Sequence, residues 1–177
     1  MPLILFKLKG ETFTSDQLIL LRKTKPFIYQ LLTTPTLTTP LLERAVNQTL
    51  QSQQTFKKTE NTLIRCNQLR LSQKPNTLIE IAETTFSEKI PDWAQIDEPL
   101  GPWLASQGYA LEKKSITPLL FLSCDFLQQL FSTTQNCYGR SYQFQITSPQ
   151  NMIYSVPTLE IWNPLVTSYS LYFQPTA

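Results

Sequence analysis

The order of hydrophobic patterns along the chain predicts an α+β fold, a single antiparallel β-sheet with helices packed on one face. Helical spacing dominates before Val46, and a pair of extended runs flanks the turn-forming Ser72–Asn76. A strict alternation over Arg140–Thr147 then leads through a second turn into another extended run. Helices first and hairpins after are the signature of segregated layers.

Taken in order, Asp16 to Leu32 carries apolar residues at Leu18, Leu21, Ile28, Leu31 and Leu32, after a Ser15-Asp16 start signal. Pro26 interrupts it, so two helical pieces are expected to meet there. Thr39 is the expected cap of a short helix whose first residue is Pro40, where a missing N–H costs least, running to Ala45 or beyond. From Val46 the character changes to Thr, Gln, Val and Leu. Asn61–Leu71 and Thr77–Phe86 form the first expected hairpin. Glu88–Asp97 reads as an irregular connection and Leu100–Ser106 as a helical stretch that Gly108 ends. Tyr109–Leu122 reads as mostly extended, and Cys124–Phe131 as a helix with Ser123 as its cap. Arg140, Tyr142, Phe144 and Ile146 share one face of the next strand; Ser148–Asn151 turns the chain into Met152–Trp162.

Composition bounds the function. With 177 residues, 41% of them hydrophobic, a single domain over residues 1–177 is expected. Fifteen Lys and Arg against thirteen Asp and Glu leave a formal charge of +2, too little for a nucleic-acid or membrane-surface partner. The chain has no histidine, which disfavours zinc hydrolases and every Ser-His or Cys-His nucleophile. Cys66, Cys124 and Cys137 are odd in number and lack CxxC spacing, so they read as buried or half-buried thiols in a reducing compartment. Met1–Lys9 lacks the long apolar run of a secretion signal, and no run of about twenty apolar residues occurs to span a bilayer. The bias towards Thr and Gln suits an AT-rich genome such as a plastid's.

No Walker loop, GxGxxG or HExxH is present. Five short segments carry the functional signal instead: Thr36-Leu37-Thr38, Leu63-Ile64-Arg65, Pro99-Leu100-Gly101, Tyr138-Gly139-Arg140 and Leu159-Glu160-Ile161-Trp162-Asn163-Pro164. In this order they resemble the chorismate lyase family, over about residues 31–172. Two of the chain's four glycines, Gly101 and Gly139, fall inside these segments.

The resemblance implies an enzyme that eliminates pyruvate from chorismate to leave 4-hydroxybenzoate for quinone synthesis, without metal or organic cofactor. It places the chain in an algal plastid stroma or the cytoplasm of a cyanobacterium. It implies an enclosed pocket in which Arg65 and Glu160 are the catalytic pair and the main-chain amides of Leu37 and Leu100 complete product binding. A guanidinium suits a carboxylate because it pairs bidentately where water is excluded. Glu160 shares a strand face with Thr158 and Trp162, and burial there is expected to keep it protonated and able to donate to a ring hydroxyl.

Arg140 either supports this site, neutralises the second carboxylate of the substrate, or lies on the surface. Bacterial members of the family carry a second arginine on the strand after the first hairpin, where this chain has Ile81-Ala82-Glu83-Thr84-Thr85. Arg70, Lys113, Lys114 and Arg140 are the candidate replacements. The alternative function is a non-enzymatic sensor for an aromatic carboxylate, although no basic helix-turn-helix segment precedes residue 31. A third reading is a subunit docking through Tyr169–Phe173. A monomer is expected, with a dimer as its alternative.

Overall fold

A computed structural model describes residues 5–87 and 90–169. After a 3-10 turn at Leu5–Lys7 and the two-residue strand β1 (Glu11–Thr12), α1 (Ser15–Thr24) and α2 (Pro26–Thr33) meet at Pro26, as the sequence predicts. The α1 cap is Thr14 rather than Ser15. Its hydroxyl accepts from the Gln17 N–H while the Gln17 side chain accepts from the Thr14 N–H, satisfying two end donors reciprocally. Helix α3 (Thr38–Val46) begins one residue before the expected cap, so Thr39 lies inside it and Leu37 is the N-cap. Asn47, at φ 51°, closes α3 in the left-handed conformation that asparagine tolerates.

Strand β2 (Leu50–Lys58) was not legible: it is a polar edge strand without an apolar face. It pairs with β3 (Thr62–Leu71), which pairs through a Ser72-Gln73 turn with β4 (Lys74–Ser87). A 3-10 turn at Asp92–Gln95 leads to α4 (Leu100–Ser106), then to β5 (Ala110–Phe121) and α5 (Asp125–Phe131). Cys124, not Ser123, is the N-cap of α5, and it makes no side-chain capping bond. Strands β6 (Cys137–Thr147) and β7 (Ile153–Trp162) form the second expected hairpin, followed by the short α6 (Val166–Tyr169). Tyr169 thus ends a helix, and the remainder of the expected docking strand to Phe173 lies outside the described residues.

The described strands form one antiparallel sheet in the order β1-β5-β6-β7-β4-β3-β2. The expectation of helices on a single face is corrected. One face carries α1–α3, packed through Phe27, Leu31, Leu32 and Leu42 on Leu69, Ile79 and Trp162. On that face α4 and the 3-10 turn pack through Leu104 and Ala94 against Phe86, Phe144 and Ile146. The opposite face of the sheet is covered by Leu127 and Phe131 of α5 and by Leu5. The reason is that Cys66, Ile81, Leu159 and Ile161, alternating with the residues of the first face, are themselves apolar and must also leave water.

Trp93 anchors the connection before α4, edge-on to Phe86, Tyr109 and Tyr154. Cys66 and Cys137 are buried and Cys124 half-buried, all as free thiols. No helix among the described residues is long and apolar enough to cross a membrane.

Candidate functional site

Register builds the site. Across the sheet, Arg140 pairs with Glu160, Glu160 with Ala82, and Ala82 with Asn67. Two residues along, Tyr142 pairs with Thr158, Thr158 with Thr84, and Thr84 with Arg65. Directly opposed residues point to the same face, and so do positions two apart, so both rows face α3 and α4. An irregularity where Leu69 opposes Glu80 but Arg70 opposes Leu78 leaves an extra residue on β4. It brings Ile79 into the helix-side core and leaves Glu80 on the same side. On β5, Lys113 opposes Phe144 and so points inward, while the neighbouring Lys114 lies outside with Glu112 at 3.3 Å.

These residues line a cavity of about 70 Å³, which exceeds the space one water needs. Its lining brings together Leu37, Arg65, Leu100 and Glu160, the four positions that the family resemblance singles out, with Glu80, Lys113 and Tyr142. Leu37 is the N-cap of α3 and Leu100 the first residue of α4, so both carry N–H groups at helix starts that lack an intrahelical acceptor. Gly101 lets these two segments close over the cavity, because a Cβ there would stand 2.6 Å from Leu37 Cδ2.

Glu160 is the hub. Its Oε1 accepts from Tyr142 at 2.7 Å, Thr38 at 3.0 Å and Lys113 at 3.2 Å, and its Oε2 from Arg140 Nε at 2.7 Å. Thr38 uses its full capacity: its hydroxyl donates to Glu160 and accepts from Lys113 at 3.0 Å and Arg140 at 2.9 Å. The Arg140 guanidinium reaches the Thr34 carbonyl at 2.6 Å and lies over the rings of Tyr142 and Trp162. Burial alone would raise the Glu160 pKa, but Arg140, Lys113 and their hydrogen bonds outweigh it and bring it down to about 2. The expected protonated Glu160 is thereby corrected: it is a carboxylate whose oxygens are already occupied by donors. Tyr142, pushed well above its ordinary range by burial and by Glu160, remains a donor.

Arg65 is 2% exposed and faces the cavity from β3. Its guanidinium donates to the carbonyls of Ala94 at 3.3 Å, Ile96 at 2.7 Å and Glu98, so it straps the 92–98 connection to the sheet. Burial draws its pKa down to about 10 against the pull of Asp97, leaving it a cation at neutral pH. Arg140 is fully buried, which removes its surface reading. Among the candidate second cations, Arg70 is held at the hairpin by Gln68 and the Pro75 carbonyl, and Lys113 is the one whose side chain lines the cavity. Glu83 points away from it, accepting from the Leu5 N–H at 2.7 Å on the other face.

Glu80, absent from the expected site, is 3% exposed and accepts from Trp162 Nε1 at 2.9 Å. Burial and the Glu160 charge push its pKa up to about 8. Glu80 directly opposes Trp162 and so shares the face of Ala82 and Thr84, a register that the sequence alone does not give. Lys113 and Arg140 pair with the ionised Glu160, burial drawing the Lys113 pKa down against the pull of Glu160. Arg65 lines the same cavity without an ion pair among the described residues, and Glu80 is protonated at neutral pH. An arginine without a carboxylate partner, beside a neutral carboxyl group, suits an anion in the cavity. Among the described residues no group of three or more Cys, Asp or Glu is gathered as a metal ion would need.

Comparisons with protein-family models, with curated proteins and with solved structures find no match to this chain.

Proposed function

We propose that the cavity binds chorismate and that the protein is a chorismate lyase, releasing pyruvate and 4-hydroxybenzoate. The observation that carries this reading is the convergence of Leu37, Arg65, Leu100 and Glu160, from four separate parts of the chain, on one cavity. Two cations, Arg65 and Lys113, line it and suit a substrate with two carboxylates. Arg65 takes one of them through N–H groups beyond the three spent on main-chain carbonyls. Lys113, with two of its N–H groups on Thr38 and Glu160, offers its third to the other and serves in place of the family's second arginine.

In this reading Glu160 does not touch the reacting atoms as an acid. It fixes Lys113 and Arg140, so the positive field is present before the substrate arrives. The reaction breaks the bond from the ring carbon to the ether oxygen, moves the hydrogen of the adjacent ring carbon to the methylene carbon, and leaves an aromatic ring. Aromatisation supplies driving force, and the protein's part is to hold the reactive conformer and the departing carboxylate. The full occupation of Glu160 by donors also supports the alternative, an aromatic-carboxylate binding protein without chemistry.

The test is incubation of the purified protein with chorismate, without added metal or cofactor, and chromatographic quantification of both products. Equimolar pyruvate and 4-hydroxybenzoate above the uncatalysed background supports the lyase. No product, together with a thermal shift by 4-hydroxybenzoate, moves the assignment to the binding protein.

A further inference from the structure

Glu80 carries one carboxyl oxygen without a hydrogen-bond partner among the described residues. It is 3% exposed, lines the cavity, and has one hydrogen-bond partner among the described residues, the Trp162 indole N–H on Oε2. Its other oxygen, Oε1, has no hydrogen-bond partner among the described residues and is open to a ligand in the cavity that Glu80 lines. No cation of the described residues forms an ion pair with it, since Lys113 and Arg140 both pair with Glu160. A buried carboxyl group in that position is far cheaper neutral than charged.

We propose that Glu80 is a ligand-binding residue that acts as a neutral carboxyl group, donating a hydrogen bond from its open oxygen to an oxygen of the bound aromatic or cyclohexadienyl carboxylate. The inference rests on the reading of the cavity as a carboxylate-ligand site. It adds to that site a donor of a different kind from its cations: one that is lost by deprotonation and that then repels an anion. The groups facing Glu80 are Glu160 and Trp162 from β7, Lys113 from β5, and Arg140 and Tyr142 from β6. Glu160 favours its protonation and the two cations oppose it; burial together with Glu160 prevails, to about 8. Ligand binding is therefore coupled to one proton above that pH.

The probe is 4-hydroxybenzoate, with Kd measured by calorimetry between about pH 6 and about pH 9, while its ring hydroxyl stays largely protonated. The wild-type chain is expected to bind evenly up to about pH 8 and then to weaken towards tenfold per pH unit, taking up a proton from the buffer for each ligand bound. Glu80→Gln keeps a donor at every pH and flattens the profile, whereas Glu80→Leu weakens binding throughout. An alkaline loss that persists unchanged in Glu80→Gln assigns the titration to Lys113 and overturns the proposal. So does an absence of proton uptake by the wild type at alkaline pH, a readout that requires no variant to fold. Failure of 4-hydroxybenzoate to bind at any pH overturns the donor role and the ligand class together. Proton-linked binding without turnover of chorismate supports the donor and overturns only the lyase.

Discussion

The Thr38 hydroxyl donates to the Glu160 carboxylate at 3.0 Å across 122 residues of chain, joining the first turn of α3 to the C-terminal end of β7. The same hydroxyl is the acceptor for Lys113 and Arg140, so one oxygen ties a helix to three strands. Thr38→Val keeps the volume and removes both functions. It leaves two buried charged donors each short of an acceptor, and roughly 2 to 4 kcal/mol of stability should be lost. Urea denaturation measures this, and Thr38→Ser should recover most of it. A Thr38→Val variant as stable as the wild type would show that water replaces the hydroxyl without cost.

Glu160→Gln tests the charge rather than the hydrogen-bonding shape. Removing the one carboxylate between Arg140 and Lys113 leaves two buried cations uncompensated, for a loss of roughly 3 to 5 kcal/mol at neutral pH. The native pKa lies near 2, below the ordinary 4.5, so the unfolded chain binds the proton first as pH falls. The contribution of Glu160 is complete above about 4.5 and drains away as pH drops through about 2. The wild type and Glu160→Gln should therefore converge in stability over that window. Denaturant midpoints at a series of acid pH values settle it, and a constant gap down to pH about 2 would mean that Glu160 is not held ionised.

The legible parts of the fold are those whose hydrophobic period matches their burial. Arg140–Thr147 alternates cleanly because β6 buries Tyr142, Phe144 and Ile146 on one face, and the placement of Arg140 among them was the visible sign that an arginine is inside. Pro26 and Gly108 punctuate the chain where their backbone chemistry says they should, Gly108 at φ 77°. β2 escaped because a solvent-facing edge strand has no apolar stripe to read. The cover on the second face escaped because Ile81, Leu159 and Ile161 look like ordinary core residues until their register is known.

Lys113 could be told from Lys114 only by which of them opposes Phe144. Glu80 reaches the cavity because it opposes Trp162 on β7, a pairing that no propensity announces. The charge state of Glu160 was misread for a related reason: burial was predictable from β7, but the two cations that overrule it come from β5 and β6.

Arg65→Ala should act in two places. The three carbonyl bonds to Ala94, Ile96 and Glu98 disappear, so amide hydrogen exchange should rise over the 92–98 connection while β6 and β7 stay protected. Binding of 4-hydroxybenzoate should weaken by roughly 2 to 4 kcal/mol through loss of a charged, hydrogen-bonded partner. Arg65→Lys keeps the charge without the planar fork and should recover part of the binding but little of the protection. Unchanged exchange over 92–98 in Arg65→Ala would show that Trp93, packed edge-on to Phe86, Tyr109 and Tyr154, holds the connection alone.

Gly139 and Gly101 should respond differently to the same added methyl group. At Gly139 a Cβ would collide with the Glu160 main-chain carbonyl, and it would lie 2.7 Å from Phe121 and 3.3 Å from the Ile161 Cα. Main chain cannot turn aside as a side chain can, so β6 and β7 must separate at the row that carries Arg140 and Glu160. At Gly101 the nearest obstacle is the tip of Leu37, which can change rotamer. Gly139→Ala should therefore lose roughly 1 to 3 kcal/mol, and Gly101→Ala less than about 1 kcal/mol. The order reverses for ligand affinity relative to stability. Leu37 displaced by Gly101→Ala moves against the cavity wall, so binding of 4-hydroxybenzoate should fall in a protein that still unfolds near the wild-type midpoint. Paired denaturation and calorimetry on the two variants test both halves; equal stability losses would mean that the β6–β7 pair yields as readily as a leucine side chain.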